Sequence, residues 1–221
     1  MRHYDMCVRC GSVSEVADVA KKLGWDGMCV LVSPEMFAQT KESAPVQKGI
    51  DISLGVEVEV RKPSDIQKTV EKFRRNAEIL AFRSNTAEMN RAVLETAEAD
   101  LLLGAWEGGV NHVLAAAAKD NEVAVCFEFQ PLMFSHARHR TELFAKMLEA
   151  AKYLRKAGAP VAIGSGGQSP MDLRDWGMLT SFGRLLGLGD AMVQEGFSGR
   201  RVLENRRRLS GKWVMPGVEA E

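Results

Sequence analysis

The chain has 221 residues, 46 % of them hydrophobic, and its 29 basic residues balance 29 acidic ones. That length suits one domain over residues 1–221 with a sizeable core. No apolar run approaches the ~18 to 20 residues of a membrane span, and "MRHYDMCVRCG" lacks the apolar stretch of a signal peptide, so a cytoplasmic protein is expected.

Strand-like and helix-like runs alternate from the start. Residues 3–9 read as a strand. Residues 12–24 read as a helix, with Ser12 at the N-cap, Glu15 at the capping-box position and Gly24 as stop. A strand over 27–33 is followed by a short helix over 34–43 opening on Pro34. The β-branched run 51–60 is a strand, and 62–76 a helix begun at Pro63 or Ser64. A strand over 78–84, a helix over 85–97, a strand over 99–105 and a helix over 111–121 come next. The strand 122–130 leads to the longest helix, 139–158, closed by Gly158. A last strand and glycine turn cover 160–167. Residues 171–189 are helical with a break near Gly177, and 189–212 form helix, turn and helix.

Seven apolar strands alternating with helices predict an α/β fold with parallel strands covered on both faces. No G-x-G-x-x-G follows the first strand, which argues against a dinucleotide fold. The regular beat favours a TIM-barrel-like (β/α) barrel, distorted and with about seven strands. Cys7 and Cys10 form an isolated C-x-x-C inside an apolar run, without the second pair a zinc site needs. Cys7, Cys29 and Cys126 stand in apolar runs, so reduced, buried thiols are expected.

In such a barrel, sites form where strands end. The strand ends offer Arg9, Ser33, Arg61, Lys62, Arg83, Trp106, Glu107, His112, Gln130 and then "HARHR", His136 to Arg140. Beyond the last strand come "GSGGQS" and Arg174. Arginine recurs, and carboxylates are expected to be nearly absent from this face, with Glu107 alone close to an end. That pattern lacks the converging ligands of a metal hydrolase and the paired acids of general acid–base catalysis. Guanidinium groups match phosphate oxygens, and the N–H groups of Gly164–Gly167 could join them around an anion. The charge is also uneven: residues 1–128 hold 15 basic and 20 acidic residues, and residues 129–221 hold 14 and 9. The basic run 198–212, with Arg200, Arg201, Arg206, Arg207 and Arg208, extends further than a small-molecule site requires. It reads as an exposed helix face or as a surface for repeated phosphates. Trp106 is expected to pack at the barrel rim, with stacking on an RNA base as the alternative.

In order along the chain, "VADVAKKLGWDGMCV", "GVEVEVRKP", "ILAFRSNT", "DLLLGA", "VAIGSGGQSPMDLRDWGML" and "VLENRRRLSGKWVMPGVE" resemble the RNase P protein component 3 family, archaeal and eukaryotic, over nearly the full length. The resemblance implies a barrel related to the metal-dependent PHP hydrolases, whose H-x-H motif at the first strand is here reduced to His3. It implies no catalytic residue and no metal or cofactor on this chain, with Mg²⁺ serving the RNA subunit. It implies as partners RNase P RNA, precursor tRNA and RNase P protein component 2, in an assembly that removes 5′ leaders. The RNA contacts carried onto this chain are Arg61, Arg83, His112, Arg138, Arg140, Ser165, Gly166 and Arg174. The rival readings are a metal-dependent phosphoesterase using His3, His112, His136 and Glu107, a sugar-phosphate enzyme with its site at Gly164–Gly167, and a protein-binding scaffold.

Overall fold

The computed structural model describes residues 2–9, 12–43, 48–210, 213–215 and 218–219. Seven strands lie side by side in chain order: β1 Tyr4–Val8, β2 Gly27–Val32, β3 Asp51–Glu59, β4 Ile79–Arg83, β5 Leu101–Leu103, β6 Ala124–Glu128 and β7 Val161–Gly164. All six pairings are parallel. Parallel strands need crossover connections, and helices supply them: α1 Val13–Lys22, α2 Phe37–Ser43, α3 Pro63–Phe73, α4 Ala87–Leu94, α5 Ala105–Gly108, α6 His112–Asp120, α7 Gln130–Phe134 and α8 Ala137–Ala157. After β7 come a 3₁₀ turn at Pro170–Asp172 and the helices α9 Trp176–Leu185, α10 Asp190–Gly196 and α11 Arg200–Leu209. Two short strands, β8 Trp213–Met215 and β9 Val218–Glu219, pair antiparallel in a separate two-stranded sheet. No helix among the described residues is long and apolar enough to cross a membrane.

The barrel closes at one seam. Val8 bridges Gly167 in parallel, Arg9 N–H donates to the Gly167 carbonyl (2.7 Å), and Gly166 N–H donates to the Cys7 carbonyl (2.8 Å). Glycine at 164 is what lets β7 come so near: a Cβ there would lie 2.7 Å from Cys7 N. Lower on the same edge, Tyr4 N–H donates to Phe197 at the end of α10 (2.8 Å). The α10–α11 segment thus takes the hydrogen bond that an eighth strand would have accepted.

Alternation along each strand divides the core into two. One face packs against the helices, through Val30, Val56, Leu80, Phe82, Leu102, Val125, Phe127 and Ile163. The bore is filled by smaller groups, including Cys7, Cys29, Ala81, Leu101, Leu103, Cys126 and Ala162. Cys7, Cys29 and Cys126 are buried free thiols, and burial raises the pKa of Cys29. Cys10 lies outside the described residues.

Some boundaries differ from the sequence reading. The break in 171–189 falls before the helix, where Leu173 is extended and Asp175 caps Met178 N–H; Gly177 lies within the first turn of α9. Ser12 occupies the N-cap of α1 through its carbonyl, which accepts from Val16 N–H (3.3 Å), with no side-chain cap bond.

Candidate nucleic-acid interface and barrel mouth

Carboxylates are present at the strand ends, contrary to the expectation from sequence. Glu57 near the end of β3 and Glu128 at the end of β6 project into the mouth, where they meet Arg9 and Arg83. Arg9 donates to Glu57 through Nε and to Glu128 through Nη2 (2.6 Å). Arg83 donates to Glu57 through Nε (2.8 Å) and reaches both Glu128 oxygens through Nη2 (2.9 Å). The four groups make a closed ring of alternating charge with no net charge. Glu128 is 1 % exposed. Burial by itself would push its carboxyl up, but Arg9 and Arg83 hold it below the ordinary range. Burial would likewise weaken protonation of Arg83, and Glu128 and Glu57 more than offset it.

The alternation rule explains why these side chains converge. Phe82 and Phe127 pack against helices, so their strand neighbours Arg83 and Glu128 face the bore. Sequence reasoning missed the acids, although "GVEVEV" and "CFEFQ" each place a glutamate in an alternating apolar run. It also missed Asp5. This carboxylate is fully buried at the seam, where Oδ1 accepts from Ser165 N–H (2.9 Å) and Cys7 N–H (3.2 Å). Oδ2 has no hydrogen-bond partner among the described residues. Burial pushes Asp5 up to about 6 against the pull of those donors and Arg9.

The expected anion cradle at Gly164–Gly167 is corrected. Ser165 N–H serves Asp5, Gly166 N–H serves Cys7, and the Gln168 and Ser169 N–H groups serve Asp172. Ser165 and Gly166 are buried, and their N–H groups join β7 to β1. Arg174 does not stand with the mouth arginines. Its carbonyl accepts from the Trp25 indole (2.9 Å) in the turn before β2, and its Nη1 folds back on Met171 and Leu173 carbonyls.

The remaining candidates are at the surface. Arg61 is 80 % exposed beside Glu59, and Arg138 is 92 % exposed beside Glu142. Arg140 is exposed and donates to the carbonyls of Ser135 (2.8 Å) and Met133 (3.4 Å); His112, His136 and His139 are exposed. Trp106 is 3 % exposed and stacked on Phe127 (6.0 Å), a packing position. The ligands suggested for a phosphoesterase are scattered. His3 stacks on Trp176, and Glu107 is held by Lys146 (2.7 Å). Among the described residues, no group of three or more His, Cys, Asp or Glu is placed to hold a metal.

The basic run of α11 is also corrected in part. Arg201 and Asn205 bind the buried Asp100 (2.7 and 2.9 Å), which Arg74 holds from its other oxygen (2.6 Å). Arg206 pairs with Asp51 (2.6 Å) and Glu78 (3.0 Å). Two of the five arginines therefore lock α11 under the barrel.

Fold and mouth together define a seven-stranded parallel (β/α) barrel with its mouth filled by ion pairs. The chain belongs to the RNase P subunit p30 family, protein subunits of RNase P, whose sequence model matches residues 2–210. It is 25 % identical to ribonuclease P protein component 3 of Methanosarcina barkeri, covering 99 % of this chain and 95 % of that one. It is 29 % identical to component 3 of Haloarcula marismortui over 78 % of this chain and 75 % of the relative. A chain in a cryo-EM structure of archaeal ribonuclease P with mature tRNA shares the fold at a TM-score of 0.79, with 21 % identity and coverage of 97 % and 96 %. Histidinol phosphate phosphatase of Lactococcus lactis, complexed with zinc, L-histidinol and phosphate, shares the barrel at a TM-score of 0.57, with 10 % identity and coverage of 84 % and 93 %.

Proposed function

We propose that this chain works in ribonuclease P by binding the RNA subunit through exposed cationic loops, with cleavage of precursor tRNA left to the RNA and its Mg²⁺. The match to the p30 family over residues 2–210 carries this reading. The mouth supports it, because its acids already have guanidinium partners.

The "HARHR" cluster supports it too. Arg138, His139 and Arg140 stand in the first turn of α8, which contains no acidic residue. Cations are disfavoured at a helix N-terminus, where anions are preferred. A bound phosphate would relieve that conflict, drawing on both the guanidinium groups and the helix end. Arg61, Arg138 and Arg140, with His112, are the contacts this reading keeps at the surface. They would hold backbone phosphates without reading sequence. RNase P protein component 2 is the expected protein neighbour.

Reconstitution tests the reading. The chain is added to RNase P RNA with component 2, and precursor-tRNA cleavage is followed at lowered Mg²⁺. Cleavage should rise on adding the chain, and the chain alone should cleave nothing. RNA hydrolysis by the isolated chain that survives removal of contaminating nucleases would overturn it.

A further inference from the structure

Helix α7 leaves the mouth end of β6 and is anchored on its inner side. Phe129 packs on Phe182 (5.3 Å), Leu132 is buried, and the Ser135 hydroxyl donates to the Pro131 carbonyl (2.6 Å). Phe134, the last residue of α7, stands outside this packing. It is 59 % exposed, and no aromatic ring stacks on it among the described residues. Trp106, the stacking candidate from sequence, is by contrast buried against Phe127. A single exposed apolar side chain needs no explanation by itself. The surroundings of Phe134 set it apart. Residues 129–141 contain no Asp or Glu and hold His136, Arg138, His139 and Arg140. Arg140 lies against the backbone on both sides of Phe134, donating to the carbonyls of Met133 (3.4 Å) and Ser135 (2.8 Å). It pairs with no carboxylate among the described residues, so its charge is not cancelled. Arg138 has only Glu142 (2.6 Å), and both side chains are more than half exposed, so that pair is weak.

An exposed ring between uncancelled guanidinium groups calls for a partner that is both flat and anionic. A purely apolar partner would strip water from Arg140 without supplying a counter-charge, which is costly. A nucleotide of single-stranded RNA supplies a base for the ring and phosphates for the arginines. Resting on the RNA-binding role above, we propose that Phe134 stacks on an unpaired base of the bound RNA, while Arg138 and Arg140 hold the phosphates beside it. Every base has a π-face, so such a platform accepts any sequence. That matches phosphate contacts that position the strand without reading it. The platform is hidden in the sequence, where "PLMF" is one more apolar run. It emerges when the fold turns Leu132 into the core and leaves Phe134 in solvent.

The test uses the full chain and fluorescence anisotropy. The probes are labelled RNase P RNA, a labelled eight-nucleotide single-stranded RNA, and an abasic strand of the same length and charge. The variants are Phe134→Ala, Phe134→Leu and Phe134→Trp, each checked for folding by circular dichroism. All three should fold, because the side chain lies outside the core. The wild type should bind the oligonucleotide about tenfold more tightly than the abasic strand. Phe134→Ala and Phe134→Leu should each lose about tenfold in affinity for both RNAs and nothing for the abasic strand. Phe134→Trp should keep wild-type affinity. The salt slope should not change in any of the three, since no phosphate contact is removed. Full affinity in Phe134→Leu would reduce the contact to an apolar one and overturn stacking. A wild type that does not prefer the oligonucleotide to the abasic strand overturns it as well. Unchanged RNA affinity in Phe134→Ala overturns it and leaves the cationic loops standing. If that variant also fails to assemble with component 2, the face belongs to a protein. If the wild type does not bind RNase P RNA, the RNA-binding role falls and the stacking falls with it.

Discussion

Arg83 shows how one residue changes meaning between sequence and structure. As the end of "ILAFR" it is a cation at a strand end, suited to phosphate. In the fold it bridges Glu57 and Glu128, and only about a third of its side chain is exposed. Arg83→Ala would leave Glu128 buried with Arg9 alone. Breaking a buried ion pair from one side costs about 3 kcal/mol or more, so this variant should lose stability by roughly 2 to 3 kcal/mol in urea denaturation, given that Arg9 remains. Unchanged stability would mean that the ring is not formed in solution. Asp5 gives a second prediction. Its folded pKa, about 6, lies above the ordinary value of 3.8, so the native chain binds this proton more tightly than the unfolded chain does. Stability should therefore be greater at acid pH and fall as pH rises from about 4 to 6. Glu128 has the opposite sign: its pKa is lowered, so its contribution is present above the ordinary glutamate value and is lost only at pH below it. Asp5→Asn keeps an acceptor for Ser165 and Cys7 N–H and removes the titration. It should flatten the pH dependence of the urea midpoint between pH 4 and 6. A wild-type profile already flat in that window would contradict the assignment.

At the scale of the element, α11 is the piece whose composition misleads. Five arginines in "RRVLENRRR" suggest an exposed basic face. The helical repeat instead turns Arg201, Val202 and Asn205 toward the barrel, where Val202 and Asn205 are fully buried. Gly199, at φ +60°, makes the entry possible, since a Cβ there would meet the Tyr4 ring at 2.5 Å. Asp100 is the anchor: it takes Arg74, Arg201, Asn205 and the Leu80 N–H (2.7 Å). Asp100→Ala should destabilise the chain by about 3 kcal/mol, because two guanidinium groups lose their buried counter-ion. Amide exchange should accelerate in α11 before it does in β4–β6. Uniform loss of protection across the barrel would instead make α11 an integral part of one cooperative unit.

For the whole molecule, the structure separates cations that hold the fold from cations that face outward. Arg9, Arg74, Arg83, Arg201 and Arg206 are spent on buried or half-buried acids, while Arg61 and Arg138 are exposed with weak partners. Exposed pairs contribute little to stability. Arg61→Ala and Arg138→Ala should leave unfolding unchanged within about 0.5 kcal/mol. Each should lower the slope of log affinity for RNase P RNA against log salt by at most about one unit. Identical slopes for wild type and both variants would remove these loops from the interface.

The sequence by itself determined the seven strands, their parallel order and the barrel. Those features follow from local periodicity, and each strand's apolar run is readable within about ten residues. It also made the family visible through the order of its motifs. What only the tertiary structure decided is which polar groups meet. Arg9 and Glu128 lie 119 residues apart, and Asp5 and Ser165 lie 160 apart. Alternation predicts that Glu57, Arg83 and Glu128 point inward, but not that their charges cancel in one ring, since pairing depends on the register and closure of the whole sheet. The same holds for "GSGGQS": its glycines announce a turn, and the closing seam determines that the Ser165 and Gly166 N–H groups go to β1 and those of Gln168 and Ser169 to Asp172.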